Sequence, residues 1–83
     1  MNTIYRSTDL GLSTYLRISG AEFKGIIPLN SKQVAFSFKD SPQLKSLINT
    51  YFTDKANVNP ALFLSEIRRL KTMVASIYRN KGI

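Results

Sequence analysis

The sequence predicts an α+β domain with a small, mainly antiparallel sheet, helices on one face of that sheet, and the element order β-α-β-β-α-α. Three observations predict this fold. The segment Gln33 to Lys39 alternates apolar and polar residues as a strand does, and two later segments repeat apolar residues at helical spacing. Residues that favour helix starts precede each helical segment. Because 83 residues leave room for one core, residues 1–83 are predicted to form a single domain.

A short strand and a helix are predicted at the start of the chain. The strand covers Asn2 to Arg6, and the helix begins near Leu10. Asp9 is the predicted capping residue, because its carboxylate can accept hydrogen bonds from backbone N–H groups in the first turn. Ser19-Gly20 is a typical helix end, since glycine follows many helix C-termini. The apolar stripe of this helix consists of Leu12, Tyr15 and Leu16.

Two strands that pair as an antiparallel hairpin are predicted next. The first covers Ala21 to Leu29, with Gly25 as a candidate bulge and Pro28 restricting the strand to an edge or an end of the sheet. The polar turn Asn30-Ser31-Lys32 joins it to the second strand, Gln33 to Lys39. Val34, Phe36 and Phe38 are predicted to face the core, whereas Gln33, Ala35, Ser37 and Lys39 are predicted on a solvated face.

Two helices complete the predicted fold. Asp40 or Ser41 caps the first of them, while Asn59 caps the second and Pro60 opens it. The last helix runs to about Arg79. The apolar residues of the first are Leu44, Leu47, Ile48, Tyr51 and Phe52; those of the second are Phe63, Ile67, Leu70, Val74 and Ile77, widened by Leu62, Met73 and Tyr78. The spacing in the last helix also permits a seam between two copies, so a homodimer is a secondary prediction.

The composition argues against several function classes. The chain contains no Cys and no His, so disulfide frameworks, thiolate metal sites and histidine-based catalysis are not expected. We therefore predict a cytoplasmic, non-catalytic protein without a cofactor or a metal. Insertion into a membrane is not expected either, because no apolar run approaches the roughly 20 residues needed to span a bilayer. Asp9 and Asp40 are expected to cap helices. An enzyme that used Asp9, Asp40 or Glu66 would need two of these carboxylates to converge in a cleft.

The strongest functional signal is a run of basic residues on the last helix. From Ile67 to the C-terminus there are five basic side chains and no acidic one, in a chain of formal net charge +7. Helical spacing places Arg68 and Arg79 opposite the apolar stripe, with Lys71 and Arg69 on the two flanks. Such a face suits the phosphates of DNA or RNA, alone or in a nucleoprotein complex. The predicted nucleic-acid-binding residues are Arg68, Arg69, Lys71, Arg79 and Lys81.

Other interpretations of the same basic face stay open. Cations late in a helix also favour the negative end of its dipole, and Glu66 is placed to pair locally with Arg69, so a plain solvated surface explains the run about as well. A protein-interaction module or inhibitor would use the same charges to dock on an acidic protein surface. Binding to an anionic membrane surface ranks third, because the apolar face of the helix is needed for the core.

Several motifs along the chain are similar to those of a known family. They are Tyr5-x-Ser7-x-Asp9-Leu10-x-Leu12, Val34-Ala35-Phe36-Ser37-Phe38-Lys39-Asp40, Tyr51, and Arg68-Arg69-Leu70-Lys71. On these motifs the chain resembles a small family of uncharacterised prokaryotic and phage-associated domains. The resemblance implies a mobile-element or host–phage context, with Asp9 and the Arg-Arg-Leu-Lys segment as recurring polar features. It implies no activity, cofactor or catalytic residue.

Overall fold

The structure, a computed structural model, describes residues 3–81, with the side chains of residues 3–79. Within that range there are three strands and three helices, in the predicted order β-α-β-β-α-α. The strands are β1 (Ile4–Ser7), β2 (Phe23–Pro28) and β3 (Val34–Lys39), and the helices are α1 (Leu10–Ile18), α2 (Pro42–Phe52) and α3 (Pro60–Lys81). The predicted α+β fold class is confirmed. Asn2, where the first strand was predicted to begin, lies outside the described residues.

The three strands form one antiparallel sheet in the order β1-β3-β2. β2 and β3 are joined as the predicted hairpin, whose turn is closed by the Leu29 N–H donating to the Gln33 carbonyl at 2.9 Å. The register between them shifts between Phe23 and Gly25, where Gly25 has a φ of 138° that L side chains rarely adopt. Pro28 ends β2, which is an edge strand. The predicted bulge and the predicted edge position are therefore both confirmed.

Each helix begins at a side chain that accepts a backbone hydrogen bond, which satisfies one of the free N–H groups of the first turn. Asp9 accepts from the Leu12 N–H at 3.0 Å, Ser41 from the Leu44 N–H at 3.0 Å, and Asn59 from the Leu62 N–H at 3.1 Å. Of the two predicted caps for α2, the structure thus uses Ser41. Asp40 instead accepts a hydrogen bond from the Thr3 hydroxyl, and its own N–H donates to the Thr3 carbonyl.

The ends of α1 and α2 share one hydrogen-bond pattern with different residues at its centre. After α1, the Ala21 N–H donates to the Leu16 carbonyl, and Gly20 has a φ of 91°. After α2, the Lys55 N–H donates to the Thr50 carbonyl, and Asp54 has a φ of 60°. Both are the left-handed helix termination that favours glycine. The predicted stop at Ser19-Gly20 is confirmed, and α2 achieves the same turn with an aspartate.

The core lies between one face of the sheet and the three helices. Leu70 of α3 is fully buried there, and Phe38 and Leu16 have no exposed surface either. The buried apolar side chains of this cluster are Leu12, Tyr15, Leu16, Val34, Phe36, Phe38, Leu44 and Leu70. Two residues predicted on apolar stripes are instead exposed, Phe52 to 62% and Leu62 to 52%. Phe52 is the last residue of α2, one position beyond Tyr51, which takes the core-facing side at that level of the helix.

The face of β3 away from the helices differs from its prediction. Ala35 and Ser37 were expected in solvent but are buried, with 1% and 3% of their surface exposed. Both are short side chains on the central strand, and the register places Ile27 of β2 beside Ala35 and Arg6 of β1 beside Ser37. Each of the two short side chains therefore has a longer neighbour on one adjacent strand, which contributes to its burial. The polar residues at the two ends of the segment are exposed, as predicted.

Candidate functional site

The candidate site is the outer side of α3. Leu70 is buried against the core, whereas Arg68 and Arg69, the two residues before it, are exposed. Lys71 and Arg79 are exposed too, so all four of these cations lie in solvent on a single helix. From the rise of an α-helix, Arg68 and Arg79 are roughly 16 Å apart along the axis. We call these four residues the basic face.

Lys81 is the fifth predicted site residue. It is the last residue of α3, and its side chain lies outside the described part of the chain. The position of its backbone agrees with a helix that runs two residues beyond the predicted end near Arg79. The basic face is therefore described by the other four side chains.

Glu66 is the one acidic residue in the sequence of α3, and its partner differs from the predicted one. Instead of pairing locally with Arg69, its Oε2 lies 2.7 Å from Nε of Arg17 on α1. Both side chains are largely buried, 21% exposed for Arg17 and 15% for Glu66. Oε2 accepts no aligned hydrogen bond from a described residue, so the attraction is that of an ion pair. Arg17 also lies over the ring of Phe23, with its guanidinium carbon 4.5 Å from the ring centroid.

This pairing matters for the charge of the site. Because Glu66 is turned toward α1, its carboxylate is held by Arg17 on the core side of α3. The second ion pair among the described residues joins Lys24 to Glu22, and Lys24 holds the pKa of the Glu22 carboxyl below its ordinary value. Neither pair includes a cation of the basic face. The positive charge of that face is thus not neutralised by a described acidic side chain.

A groove borders the basic face where α3 passes the β2–β3 turn. Lys71 lines it from α3 and Lys32 from the turn, above the apolar side chains of Leu10, Val34 and Val74. The Tyr78 hydroxyl donates a 3.0 Å hydrogen bond to the Asn30 carbonyl, which ties the turn to the helix. We call this the Lys32–Lys71 groove. Sequence reasoning missed Lys32, because the contact between a hairpin turn and a distant helix leaves no local pattern.

The carboxylates of the described residues do not form a metal site. No group of three or more His, Cys, Asp or Glu residues that could hold a metal ion occurs within residues 3–81. Asp9 caps α1, Asp40 contacts Thr3, and Glu66 pairs with Arg17. In the same part of the chain, no helix is both long enough and apolar enough to cross a bilayer.

Apolar side chains are exposed near the other end of α3. Leu62 and Leu64, in its first turns, are each about half exposed, as 52% and 53%. Leu64 also lines an apolar groove with Tyr51, Val58 and Phe63 between α2 and α3. The rings of Phe52 and Tyr51 pack nearly perpendicular to each other, and Phe52 is otherwise exposed. The first turns of α3 therefore present apolar surface, and the helix presents the basic face from Arg68 onward.

Comparison with known protein families gives a match over most of the chain. The model of a family described as Domain of unknown function (DUF5659) matches residues 2–76. This range contains Lys32 and three residues of the basic face, Arg68, Arg69 and Lys71, and it stops short of Arg79. No curated protein and no solved structure matches the chain.

Proposed function

The chain belongs to the Domain of unknown function (DUF5659) family, and we propose that it is a small non-catalytic accessory protein that binds nucleic acid, or a nucleoprotein complex, through the basic face of α3. Arg68, Lys71 and Arg79 would contact phosphates, with Arg69 and Lys81 as additional cations. One observation carries the proposal. The only acidic side chain of α3 is held by Arg17 on the side away from solvent, so the exposed charge of the helix is purely positive.

The chemistry of such binding follows from charge. Each phosphate that a Lys or Arg neutralises releases condensed counterions, so affinity falls steeply as salt is added. The guanidinium groups of Arg68 and Arg79 can each donate two parallel hydrogen bonds to one phosphate. Contacts of this kind position a nucleic acid without reading its bases. We therefore expect tight binding at low salt with little sequence preference.

The setting belongs to the proposal as well. We place the protein in the cytoplasm, in a phage or mobile-element context. The cysteine-free composition supports a reducing compartment, and the motifs at Tyr5 to Leu12 and at Arg68 to Lys71 support the mobile-element context through their resemblance to phage-associated domains.

A second candidate function is docking on an acidic protein surface, as an interaction module or an inhibitor. The exposed side chains of Leu62 and Leu64 favour it, because apolar surface beside a cluster of Arg is typical of protein interfaces. Copurification from native cells separates the two functions. A complex that is lost on nuclease treatment supports the first, and a nuclease-resistant protein partner supports the second.

Charge reversal on the basic face tests the first function directly. We expect the double variant Arg68→Glu with Arg79→Glu to weaken binding to mixed DNA and RNA by more than about tenfold and to lower the salt slope by about two. Fluorescence anisotropy at two ionic strengths measures both quantities.

A matched control separates the face from the net charge. The double variant Lys45→Glu with Lys55→Glu makes the same charge change at exposed positions of α2 and of the loop after it. We expect it to weaken binding by less than about threefold, since only the long-range field changes. Equal losses in both double variants, or no binding by the wild type at low salt, would contradict the proposal.

A further inference from the structure

The Lys32–Lys71 groove combines two cations with an apolar lining, whereas the basic face consists of cations alone. Its volume is about 340 Å³, at the lower end of the range of roughly 300 to 1,000 Å³ that is usual for small-ligand sites. Two cations stand at its rim, Lys32 and Lys71, and no acidic residue lines it. Its apolar walls are formed by Leu10, Val34, Phe36, Val74 and Ala75, and the polar residues Thr8 and Gln33 also line it. A fitting occupant therefore has one anionic group and a compact apolar body.

We infer that this groove holds one unpaired nucleotide of a single-stranded nucleic acid, with the phosphate at Lys32 and Lys71 and the base against the apolar walls. The inference rests on the proposed function and names the class of nucleic acid that the basic face takes. Lys71 belongs both to the basic face and to the groove, so a strand that runs along α3 reaches the groove without leaving the protein surface.

The size and polarity of the groove favour a single strand over a duplex. In a duplex the base faces are stacked on each other, and only edges and backbone reach a protein. An unpaired base exposes its flat apolar face, which can be buried against apolar side chains at little cost in sequence selectivity. The apolar walls of the groove offer no favourable contact to a phosphate backbone alone. An unpaired base, in contrast, has a flat apolar face that can be buried against these walls.

The same features favour a nucleotide over an acidic peptide. In a nucleotide one covalent unit carries both a phosphate and a ring system large enough to cover Leu10, Val34 and Val74. A Glu or Asp side chain supplies the charge without that apolar body. An acidic peptide that binds in the groove would therefore contradict the inference.

Filling the groove without changing its charge is the sharpest test. Ala75 is exposed and lines the groove from α3, so Ala75→Leu places extra volume in it while keeping a strong helix former. Ala61→Leu is the matched control, because Ala61 is an exposed alanine of the same helix outside the groove. We expect Ala75→Leu to weaken binding of a single-stranded oligonucleotide by about tenfold and binding of its duplex by less than about twofold. Ala61→Leu should change neither affinity.

Removing the second cation is an independent test. Lys32→Gln keeps most of the side-chain volume and should weaken single-strand binding by about threefold to tenfold, with a salt slope lower by about 0.7. Lys45→Gln is its control, since Lys45 is an exposed lysine of α2 that does not line the groove. Duplex binding should be the same in both variants.

The outcomes distinguish this inference from the function on which it rests. Wild type that binds neither form overturns both. Wild type that binds single strand and duplex equally, with no selective effect of Ala75→Leu, overturns the inference and keeps the proposed function. Displacement of the oligonucleotide by a polyglutamate peptide, with the peptide sensitive to Ala75→Leu, also overturns it. A selective loss of single-strand affinity in both groove variants supports it.

Discussion

Gly11 lies in the first turn of α1 under the phenol of Tyr51 from α2. A Cβ atom added at Gly11 would lie 2.5 Å from the Tyr51 hydroxyl oxygen and 3.7 Å from the ring carbon that carries it. The Tyr51 ring also packs against Tyr15, with the ring centroids 5.6 Å apart. Burial, and secondarily the charge of Asp9, raise the pKa of Tyr51 above its ordinary value. The missing side chain of Gly11 thus lets the two helices approach.

We expect Gly11→Ala to lower the free energy of unfolding by about 1 to 3 kcal/mol, because the added methyl group overlaps the Tyr51 hydroxyl. In a helix without that contact, the same change would stabilise by up to about 1 kcal/mol. The Tyr51→Phe background removes the hydroxyl and leaves the ring carbon at an ordinary distance. In that background Gly11→Ala should become neutral or stabilising. Urea unfolding of the four proteins measures this; an equal loss in both backgrounds would show that the hydroxyl is not the obstacle.

Asp54 occupies the position after α2 that Gly20 occupies after α1. Its φ of 60° costs an L residue roughly 1 kcal/mol, and glycine has no such cost. We therefore expect Asp54→Gly to raise the free energy of unfolding by about 0.5 to 1 kcal/mol. Gly20→Ala, at the equivalent turn, should lower it by a similar amount. Thermal unfolding followed by circular dichroism checks both signs, and a loss of stability in Asp54→Gly would refute this account of the turn.

At the scale of whole elements, α1 and α3 are joined by the Arg17–Glu66 ion pair. Both partners are largely buried, so removing one charge leaves the other poorly solvated. We expect Glu66→Gln to lower the free energy of unfolding by about 1 to 2 kcal/mol. Glu22→Gln is the matched control, because the Glu22–Lys24 pair is exposed and should contribute little. Chemical denaturation at neutral pH compares the two. Equal losses of stability in the two variants would mean that burial does not strengthen the Arg17–Glu66 pair.

The sequence predicted well the features of elements that depend on neighbouring residues. The caps at Asp9 and Asn59 and the hairpin turn follow from local hydrogen bonding, and all three were predicted. For α2 the sequence left Asp40 and Ser41 open. Pro42 favours Ser41, because proline prefers the first helical position and the capping residue directly precedes that position.

The features that sequence reasoning missed depend on distant parts of the chain. The partner of Glu66 was predicted on its own helix, where Arg69 stands at the right spacing, but Arg17 offers a less solvated and therefore stronger attraction. Ala35 and Ser37 alternate with the core residues of β3, so the sequence places them on the solvent-facing side of the strand. Their burial depends on which residues of β1 and β2 lie beside them, and this is set by the strand register. The Lys32–Lys71 groove required both the hairpin and α3 to be in place. For the candidate site, the sequence therefore predicted which basic residues lie on α3, but it did not predict the partner of Glu66 or the groove beside Lys71.

The molecule as a whole carries a formal net charge of +7 on 83 residues. Like charges repel in the compact state, and dissolved salt screens that repulsion. We therefore expect the melting temperature to rise as salt is increased from low to physiological concentration. The Arg68→Glu with Arg79→Glu variant removes more than half of the net charge and should show a weaker rise. Thermal scans over a salt series test this, and an equal rise in both proteins would point to a cause other than net charge.

The sheet has two free edges because β3 lies at its centre. On the β2 edge, Pro28 has no N–H to donate, and the irregular pairing at Gly25 interrupts the row of backbone groups. On the other edge, β1 is a short strand of four residues, Ile4–Ser7. A strand of a second molecule could therefore form few regular backbone hydrogen bonds with either edge strand. Both edges of the sheet thus disfavour polymerisation by strand addition, and the net charge of +7 opposes self-association as well.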